Sequence, residues 1–386
     1  MRRKSTYQQY VIGTLSRFDH KNTMFSRACW EKETMAKKQT QNTIAQAKMK
    51  KGLPGFTQAD FALKSGSWHI AHTYGMSGRS IGNSGLYNWN SQDSESKSFF
   101  SDRKVELNPA EASKKVKHAA KLFGADLVGT CKLNHSWLYS KIYEHETGKS
   151  IDVDSLISDN FGYAIALAIE MDYDVIKTSP TALGDATVGV GYSYMPVVAS
   201  MVAKYIRGLG YKAIPMGNDT ALSVPIAVDA GLGELGRNGL LITPQFGPRI
   251  RLCKVITDLP LEPDDPIDLG VQKFCEDCKK CSKECPSKAI TSGERMEWAD
   301  EISSGRGLMK WPIDPKKCYN FWLSNGVPCG NCITSCPFNK PNTSIHSLAK
   351  WSTKNLPFFN KFLIWLDDVM GYGTNLNPDD YWKDRL

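Results

Sequence analysis

The stretch Lys273–Ile290, KFCEDCKKCSKECPSKAI, brings together Cys275, Cys278, Cys281 and Cys285 and follows the last of them with a proline. A second stretch, CYNFWLSNGVPCGNCITSCPFNK from position 318 to 340, repeats the pattern with a longer first gap and also ends its cysteines in Cys-Pro. Together the two stretches hold eight of the eleven cysteines of the chain. This concentration indicates one module that is built around cysteine ligands.

Disulfides, zinc and iron–sulfur clusters are the three chemistries open to these cysteines. Disulfide frameworks belong to small secreted domains, and this chain is neither small nor evenly rich in cysteine. Structural zinc usually takes paired C-x2-C knuckles and stays a weaker alternative. The run C-x2-C-x2-C-x3-C-P is typical of two [4Fe–4S] clusters, where the fourth cysteine binds the other cluster. The spacing therefore predicts two clusters and a one-electron relay, with crossed ligand sets: Cys275, Cys278, Cys281 and Cys336 for one, and Cys318, Cys329, Cys332 and Cys285 for the other.

The composition is that of an ordinary soluble globular protein, with 41% hydrophobic and 23% charged residues. A length of 386 residues allows two or three packed units. Apolar runs in the sequence stay shorter than the roughly eighteen residues of a membrane span. The net charge of +8 is spread along the chain without a dense basic run, so nucleic acid is not predicted as a partner.

The pattern divides the chain into four segments. Residues 1–100 are rich in Gly, Ser, Asn and aromatics, which predicts a loop-rich region that covers the active site. Residues 101–265 alternate helix and strand patterns, which predicts an α/β domain of the α+β sandwich-like type. Residues 266–345 predict a ferredoxin-like domain with two [4Fe–4S] clusters, and residues 346–386 an aromatic-rich C-terminal extension.

Local signals place the elements of the second segment. Asn108-Pro109 and Gly124 bound a predicted helix. Hydrophobic periodicity predicts a second helix over 194–210. Strands are predicted over 125–133, 163–171 and 211–217.

The motif GLGELG, Gly231–Gly236, matches the G-x-G-x-x-G fingerprint of dinucleotide sites. Such a site needs a helix directly after the glycines, and the following residues carry Pro244, Gly247 and Pro248 instead. We therefore expect these glycines to let the backbone approach a different large, flat ligand.

Two stretches, LGDATVGVGYSYMPVV (183–198) and AGLGELGRNGLLITPQFGPRIR (230–251), precede the cysteine runs. In this order they resemble the corrinoid-dependent respiratory reductive dehalogenases of organohalide-respiring bacteria, as the catalytic subunit in its mature form. The resemblance covers about residues 101–345. It implies base-off cobalamin without a protein ligand on cobalt, and the sequence agrees in lacking the D-x-H-x-x-G motif that supplies such a histidine. The flat ligand would then be the corrinoid, with Gly233, Gly236 and Asn238 among its contacts.

The resemblance also implies the catalytic residues. Tyr192 is the expected proton donor, Arg251 lies beside it and Asn218 helps to hold it; Tyr194 and Arg249 are the alternatives if the register differs. A free phenol is a weak acid with a pKa of about 10, and a neighbouring guanidinium strengthens such an acid because it favours the phenolate.

Aromatic and aliphatic side chains suit a pocket for small halocarbons, which offer no hydrogen bonds. By resemblance we expect Trp322 in the pocket wall, with Val188 near Tyr192. Trp89 is a further candidate from the N-terminal segment, and Tyr87 and Phe61 are weaker ones. An apolar pocket favours small chlorinated alkanes or ethenes over bulky halophenols.

Family members carry a twin-arginine export signal. Here Arg2 and Arg3 are adjacent but no apolar stretch follows them, so we expect a mature chain. The resemblance implies an exported protein at the outer face of the cytoplasmic membrane. It would be docked peripherally on a small integral membrane anchor protein and supplied with electrons by the respiratory chain. A cytoplasmic location fits the bare sequence equally well.

Two other functions stay open. An epoxyqueuosine reductase that acts on tRNA would use the same cofactors, but the long C-x10-C gap and the lack of a basic stripe disfavour it. A non-catalytic ferredoxin-like electron carrier would contain iron without cobalt.

Overall fold

The structure is a computed structural model that describes residues 6–75, 85–89, 104–158, 160–298, 300–341 and 343–383. Its strands are β1 (Leu127–Lys132), β2 (Lys141–Tyr143), β3 (Ser150–Asp152), β4 (Tyr163–Glu170), β5 (Ala213–Met216), β6 (Glu234–Leu235), β7 (Leu241–Ile242) and β8 (Ile250–Thr257). Four of them form an antiparallel sheet in the order β1–β4–β8–β5, while β2 pairs with β3 and β6 with β7. The prediction of a mixed helix and sheet domain is confirmed, with β5 at one edge of the sheet.

The helices lie on both sides of this sheet and at both ends of the chain. They are α1 (Met24–Trp30), α2 (Lys32–Lys50), α3 (Gln58–Ser67), α4 (His69–Thr73), α5 (Pro109–Leu122), α6 (Tyr173–Ile176), α7 (Ala182–Gly208), α8 (Ser223–Asp229), α9 (Val271–Asp277), α10 (Lys280–Lys283), α11 (Pro315–Asn325), α12 (Asn331–Thr334), α13 (Ser344–Asn355), α14 (Asn360–Val369) and α15 (Pro378–Lys383).

The central sheet is buried on both faces. Along β4, Ile165, Leu167 and Ile169 pack against α5 and α7, whereas the alanines between them pack on the side of α8. Because side chains alternate along a strand, one apolar strand supplies two cores. This arrangement fixes which residues of the neighbouring β8 face α7 and which face α8.

Helix α7 is the longest helix in the described part of the chain, with 27 residues. It begins where the Thr181 hydroxyl accepts a hydrogen bond from the Gly184 amide at 3.1 Å, well before the predicted start at 194. The first half of α7 contains Gly184, Gly189 and Gly191. Because glycine is a weak helix former, helix propensity does not predict this half. By length and composition α7 could cross a membrane, but 67% of its apolar window is buried inside the protein, so here it is the core helix.

The N-terminal segment is more helical than expected. Helices α1 to α4 occupy most positions of 24–73, where the sequence predicts long loops and short helices. Helix α2, KETMAKKQTQNTIAQAKMK, lacks an apolar stripe, so periodicity did not reveal it. Residues with high helix propensity form it, and it packs against α11, where the Lys48 ammonium donates to Asn325 Oδ1 at 2.6 Å.

The C-terminal segment packs back onto the cysteine module. Leu363 and Ile364 of α14 contact the apolar cluster around Phe274 and Cys278. The Trp382 indole of α15 donates to Asp60 Oδ1 of α3 at 2.9 Å. These contacts link the two ends of the chain, while the four domain boundaries themselves stay a prediction.

Candidate active site and cysteine module

Tyr192 lies on the face of α7 that packs against the central sheet, and it is half-buried. Its hydroxyl oxygen accepts a hydrogen bond from Asn218 Nδ2 at 3.1 Å. The guanidinium carbon of Arg251, from β8, lies 5.2 Å from the centre of the Tyr192 ring. The structure thus brings the three expected side chains together from a helix, a loop and a strand.

Trp68 completes this group and was not anticipated from the sequence. Its ring stacks on Tyr192 with 5.0 Å between ring centres and 20° between planes. Ser193 anchors the segment that carries Trp68, because the Ser193 hydroxyl donates to Ser67 O at 2.6 Å and accepts from Ala71 N at 3.1 Å.

The glycines of α7 make room for these neighbours. A Cβ at Gly189 would lie 2.5 Å from Trp68 Cδ1, and a Cβ at Gly191 would lie 2.7 Å from Arg251 Cγ. The spacing VGVGY in the sequence was therefore the available signal for a crowded site around Tyr192.

The two alternative residues lie elsewhere. Tyr194 is 54% exposed on another face of α7. Arg249 is buried and pairs with Glu170 at 2.6 Å, and it also donates to the Lys340 carbonyl at 2.8 Å. Neither residue joins the group around Tyr192, so the geometry favours the Tyr192, Asn218 and Arg251 register.

Of the expected pocket residues, Val188 is the one that touches the Tyr192 group. It is buried in a cluster with Met171 and Ile333, against which Trp68, Tyr192 and Cys332 pack. This cluster connects the tyrosine to the cysteine module through a few apolar contacts.

The two expected pocket tryptophans, Trp322 and Trp89, pack against residues outside the Tyr192 group. Trp322 of α11 packs near Phe25 of α1, with ring centres 6.1 Å apart. The buried indole nitrogens of Trp322 and Trp89 have no hydrogen-bond partner in the described part of the chain. Trp89 packs against the core on the α8 side of the sheet. Their place in a substrate pocket stays a prediction.

The two weaker aromatic candidates, Tyr87 and Phe61, also lie in different parts of the structure. Tyr87 is buried with its hydroxyl against Gly217, and its pKa is raised well above the usual value, first by burial and then by nearby groups that include Asp219 and Tyr192. Phe61 instead packs with Phe56 and Val327. Of these two candidates, Tyr87 is therefore the one that lies near the site.

Four cysteines from the two runs line one cavity. Cys275, Cys278 and Cys281 come from the first run and Cys336 from the second. These four thiols influence one another's ionisation, so they lie close together. This donor set fits a polynuclear cluster better than zinc, and it is the crossed set that the spacing predicts.

The other four cysteines also group together. Cys285, Cys318 and Cys332 share one apolar cluster, which also includes Cys281 of the first set. Cys329 influences the ionisation of Cys318 and Cys332. Backbone amides point at two of the sulfurs, from Ala289 to Cys285 at 3.3 Å and from Asn331 to Cys329 at 3.5 Å. Cys332 of this second set packs against the apolar cluster around Val188, against which Tyr192 also packs.

Burial raises the pKa of seven of these eight thiols, whereas at Cys285 hydrogen bonds outweigh burial and lower the pKa. Burial raises the pKa of Cys278 to about 11 and that of Cys318 to about 12, with the neighbouring Cys329 adding to the latter. Burial also raises the pKa of Cys336 to about 12. Thiolates become stable in such a setting when they bind a metal, which is the chemistry expected of iron–sulfur ligands.

Two glycines of the GLGELG motif pack against neighbouring residues of the protein. A Cβ at Gly233 would lie 2.2 Å from the Ile242 carbonyl oxygen, and one at Gly236 would lie 2.7 Å from Asn238 Oδ1. Gly236 and Asn238 line the four-cysteine cavity, and Asn238 Nδ2 donates to the Cys332 carbonyl at 3.2 Å. These contacts explain the glycines without a flat ligand, so corrinoid contact by Gly233, Gly236 and Asn238 stays a prediction.

Comparison with known proteins agrees with this architecture. Residues 142–261 match the family model of the reductive dehalogenase subunit, and residues 274–340 match that of the 4Fe-4S dicluster domain. The chain is 35% identical over 378 residues to the tetrachloroethene reductive dehalogenase of Sulfurospirillum multivorans, which covers 90% of this chain and 75% of that protein.

Solved structures show the same fold. The catabolic reductive dehalogenase NpRdhA superposes with a TM-score of 0.72 at 21% identity, over 97% of this chain and 48% of that one. A reductive dehalogenase whose structure suggested a mechanism for B12-dependent dehalogenation gives 0.68 at 22% identity, over 94% and 47%. The chain thus spans about half the length of these two structures. Its family membership rests on the sequence match: the chain belongs to the reductive dehalogenases, an oxidoreductase family with a 4Fe-4S domain.

Proposed function

We propose that this protein removes chloride from small chlorinated ethenes or alkanes, using cobalamin and two [4Fe–4S] clusters, with Tyr192 as the proton donor. The observation that carries the proposal is the hydrogen-bonded Tyr192–Asn218 pair under the Arg251 guanidinium. Tyr192 and Cys332 pack against the same apolar cluster, which supports a short route between the cysteine module and the proton donor.

The reaction needs two electrons and one proton, which replace a carbon–chlorine bond with a carbon–hydrogen bond and release chloride. Reduced cobalamin supplies the strong nucleophile and reductant for the carbon–chlorine bond when it is bound. The two cysteine sets hold the clusters that supply electrons one at a time. Tyr192 supplies the proton.

The residues around Tyr192 suit that step. Asn218 donates to the phenol oxygen and the Arg251 guanidinium lies over the ring, so both side chains hold the phenol in place. Trp68 covers one face of the ring and excludes water from it. Arg251 Nε and Asp219 Oδ1 are buried and have no partner among the described residues, so a bound ligand with polar groups could pair with them.

The substrate class rests on two supports. Val188 and the aromatic rings of Trp68 and Tyr192 form an apolar surface, which suits a halocarbon that makes no hydrogen bonds. The similar protein from Sulfurospirillum multivorans is named for tetrachloroethene.

Chloride release tests the proposal. The holoenzyme, with cobalt and iron measured, is incubated anaerobically with a reduced viologen and one of four substrates: tetrachloroethene, 1,1,1-trichloroethane, chloroform or a chlorophenol. We expect release from the small substrates and little from the chlorophenol. Iron without cobalt and no release from any substrate would favour an electron carrier. Cobalt and iron without release would favour another substrate class, such as an epoxide in tRNA.

We also infer a peripheral location at the outer face of the cytoplasmic membrane, on a small integral anchor protein, with electrons from the respiratory chain. Exposed apolar residues on α13 and α14, such as Trp351, Phe362 and Trp365, support such a contact. The test is cell fractionation: we expect the protein to sediment with membranes and to be digested by protease added to spheroplasts. Recovery in the soluble, protected fraction would contradict this location.

A further inference from the structure

Lys254 is a buried lysine that lies behind the Tyr192 site. Arg251 and Cys253 of β8 face α7, so Lys254, one residue further, points to the opposite side, where it is 1% exposed. Its ammonium donates to the carbonyl oxygens of Gly217 and Ala221, the latter at 2.6 Å, and to the Ser223 hydroxyl at 3.0 Å. All three partners belong to the segment after the edge strand β5, which also carries Asn218.

The hydrogen bonds continue from Lys254 to Tyr192. Ser223 Oγ donates to Asn218 Oδ1 at 3.2 Å, and Asn218 Nδ2 donates to the Tyr192 hydroxyl at 3.1 Å. This chain of hydrogen bonds passes around the end of β5 and joins the two sides of the sheet.

Lys254 favours one direction for the bonds in this chain of side chains, because it takes one of the two acceptor lone pairs of the Ser223 oxygen. An ammonium group has three donors and no acceptor, so the Ser223 oxygen must accept from Lys254. The Ser223 hydrogen is free for the Asn218 carbonyl oxygen, which accepts it in the structure. With its oxygen occupied, the Asn218 amide presents its NH2 group to Tyr192, whose oxygen accepts.

This direction matters for proton transfer. When the Tyr192 oxygen accepts from Asn218, the phenol hydrogen stays free to point at a substrate. An amide turned the other way would present its oxygen, accept that hydrogen and hold it back. The NH2 group also remains a donor to the phenolate after transfer, which lowers the energy of that product.

We propose that Lys254 and Ser223 are positioning residues that fix the orientation of the Asn218 amide and so keep the Tyr192 proton available. The proposal rests on the proposed function, in which Tyr192 is the proton donor.

The charge state of Lys254 supports this role. Burial lowers its pKa to about 8, and nearby Asp219 and Cys253 oppose that shift. At pH 7 the group is therefore mainly the ammonium, the form that cannot accept a hydrogen bond. Asp219 is itself buried, and the burial raises its pKa, which the positive charge of Lys254 opposes.

Kinetics of the holoenzyme test the proposal. Ser223→Ala breaks the chain, and we expect kcat for chloride release to fall at least tenfold with KM unchanged, because a positioned general acid contributes about 10² to 10⁴. Ser223→Thr keeps the hydroxyl and should recover most of kcat. Ser200→Ala is the control, since that hydroxyl on α7 donates to the Val197 carbonyl at 2.8 Å and should leave kcat unchanged.

Tyr192→Phe, measured beside these variants, separates the two proposals. Loss of activity in Tyr192→Phe with a normal kcat in Ser223→Ala overturns the positioning role and leaves the proton donor in place. Retained activity in Tyr192→Phe overturns both. An equal loss in Ser223→Ala and Ser223→Thr also contradicts the role, because the hydroxyl would then not be the feature that matters.

Neutron diffraction of the deuterated holoenzyme gives a readout that does not depend on activity or on a variant that folds. We expect deuterium on the Asn218 atom nearest to Tyr192 and on Ser223 Oγ toward Asn218. An Asn218 oxygen facing Tyr192, with the phenol deuterium pointing at it, would overturn the proposal.

Discussion

At the scale of single residues, Gly189 decides how closely Trp68 can approach Tyr192. A methyl group there would lie 2.3 Å from Ser67 Oγ and 2.5 Å from Trp68 Cδ1, distances that force these neighbours to move. Ser67 and Trp68 are held from behind by Ser193, so the stack of Trp68 on Tyr192 must shift. The site therefore tolerates no side chain at this position of the helix.

We expect Gly189→Ala to lower both the melting temperature and the rate of chloride release. Gly66→Ala is the matched control in helix α3, where an added Cβ meets no atom within 4 Å. There the helix preference of alanine should raise the free energy of unfolding by about 0.5–1 kcal/mol. Thermal unfolding and chloride release of both variants check this. A similar rise in melting temperature for the two would contradict the crowding at Gly189.

The sequence allowed only part of this site to be predicted. The resemblance pointed to Tyr192, Asn218 and Arg251, which the structure brings together. It did not point to Trp68, Ser223 or Lys254, because their contacts depend on how a distant helix and the far side of a strand pack. Propensity and spacing describe local structure and carry no information on such contacts.

At the scale of elements, the two cysteine runs act as one unit, because each gives its last cysteine to the other's set. Cys336 lines the cavity of the first run, and Cys285 groups with Cys318 and Cys332 of the second. The spacing of the cysteines predicted this exchange. Cys275, Cys281, Cys318 and Cys332 lie on the short helices α9, α10, α11 and α12.

Cys285→Ser tests the exchange. We expect loss of the cluster held by Cys318, Cys329 and Cys332, although Cys285 belongs to the other run, and a fall of about half in bound iron. Iron analysis and the EPR spectrum of the reduced protein check this, with Cys29→Ser as the control outside both runs. A spectrum like that of Cys275→Ser would contradict crossed ligation.

Two other helices show where the sequence pattern predicts a helix and where it does not. Helix α5 was predicted well, because Asn108 accepts from the Glu111 amide at 2.9 Å, Pro109 follows it and Gly124 adopts a φ of 101° after the helix. The sequence did not predict helix α2, because its polar residues form no apolar face with helical periodicity. Its burial against α11 comes from tertiary contacts that periodicity does not encode.

At the scale of the whole molecule, the C-terminal helices are joined to the cysteine module by a buried charge cluster. Asp367 of α14 is 6% exposed and pairs with both Lys280 and Lys340. Its neighbour Asp368 pairs with the same Lys280 at 2.6 Å, but its side chain is 60% exposed. Breaking a buried pair costs far more than breaking an exposed one, because it leaves a charge without compensation.

We therefore expect Asp367→Asn to lower the free energy of unfolding by about 3 kcal/mol and to loosen α14 from the module. Asp368→Asn should change it by less than about 1 kcal/mol. Denaturant unfolding of the holoprotein and limited proteolysis of the C-terminal segment check this. Equal stability of the two variants would contradict a structural role for the buried cluster.

The central claim is that Tyr192 donates the proton that replaces chloride, and one comparison tests it most directly. Chloride release from tetrachloroethene is measured for Tyr192→Phe and for Tyr194→Phe, each with its cobalt and iron content determined. We expect Tyr192→Phe to keep both metals but to lose chloride release by a factor of about 10² or more, while Tyr194→Phe stays active. Full activity of Tyr192→Phe, or equal losses in both variants, would contradict it.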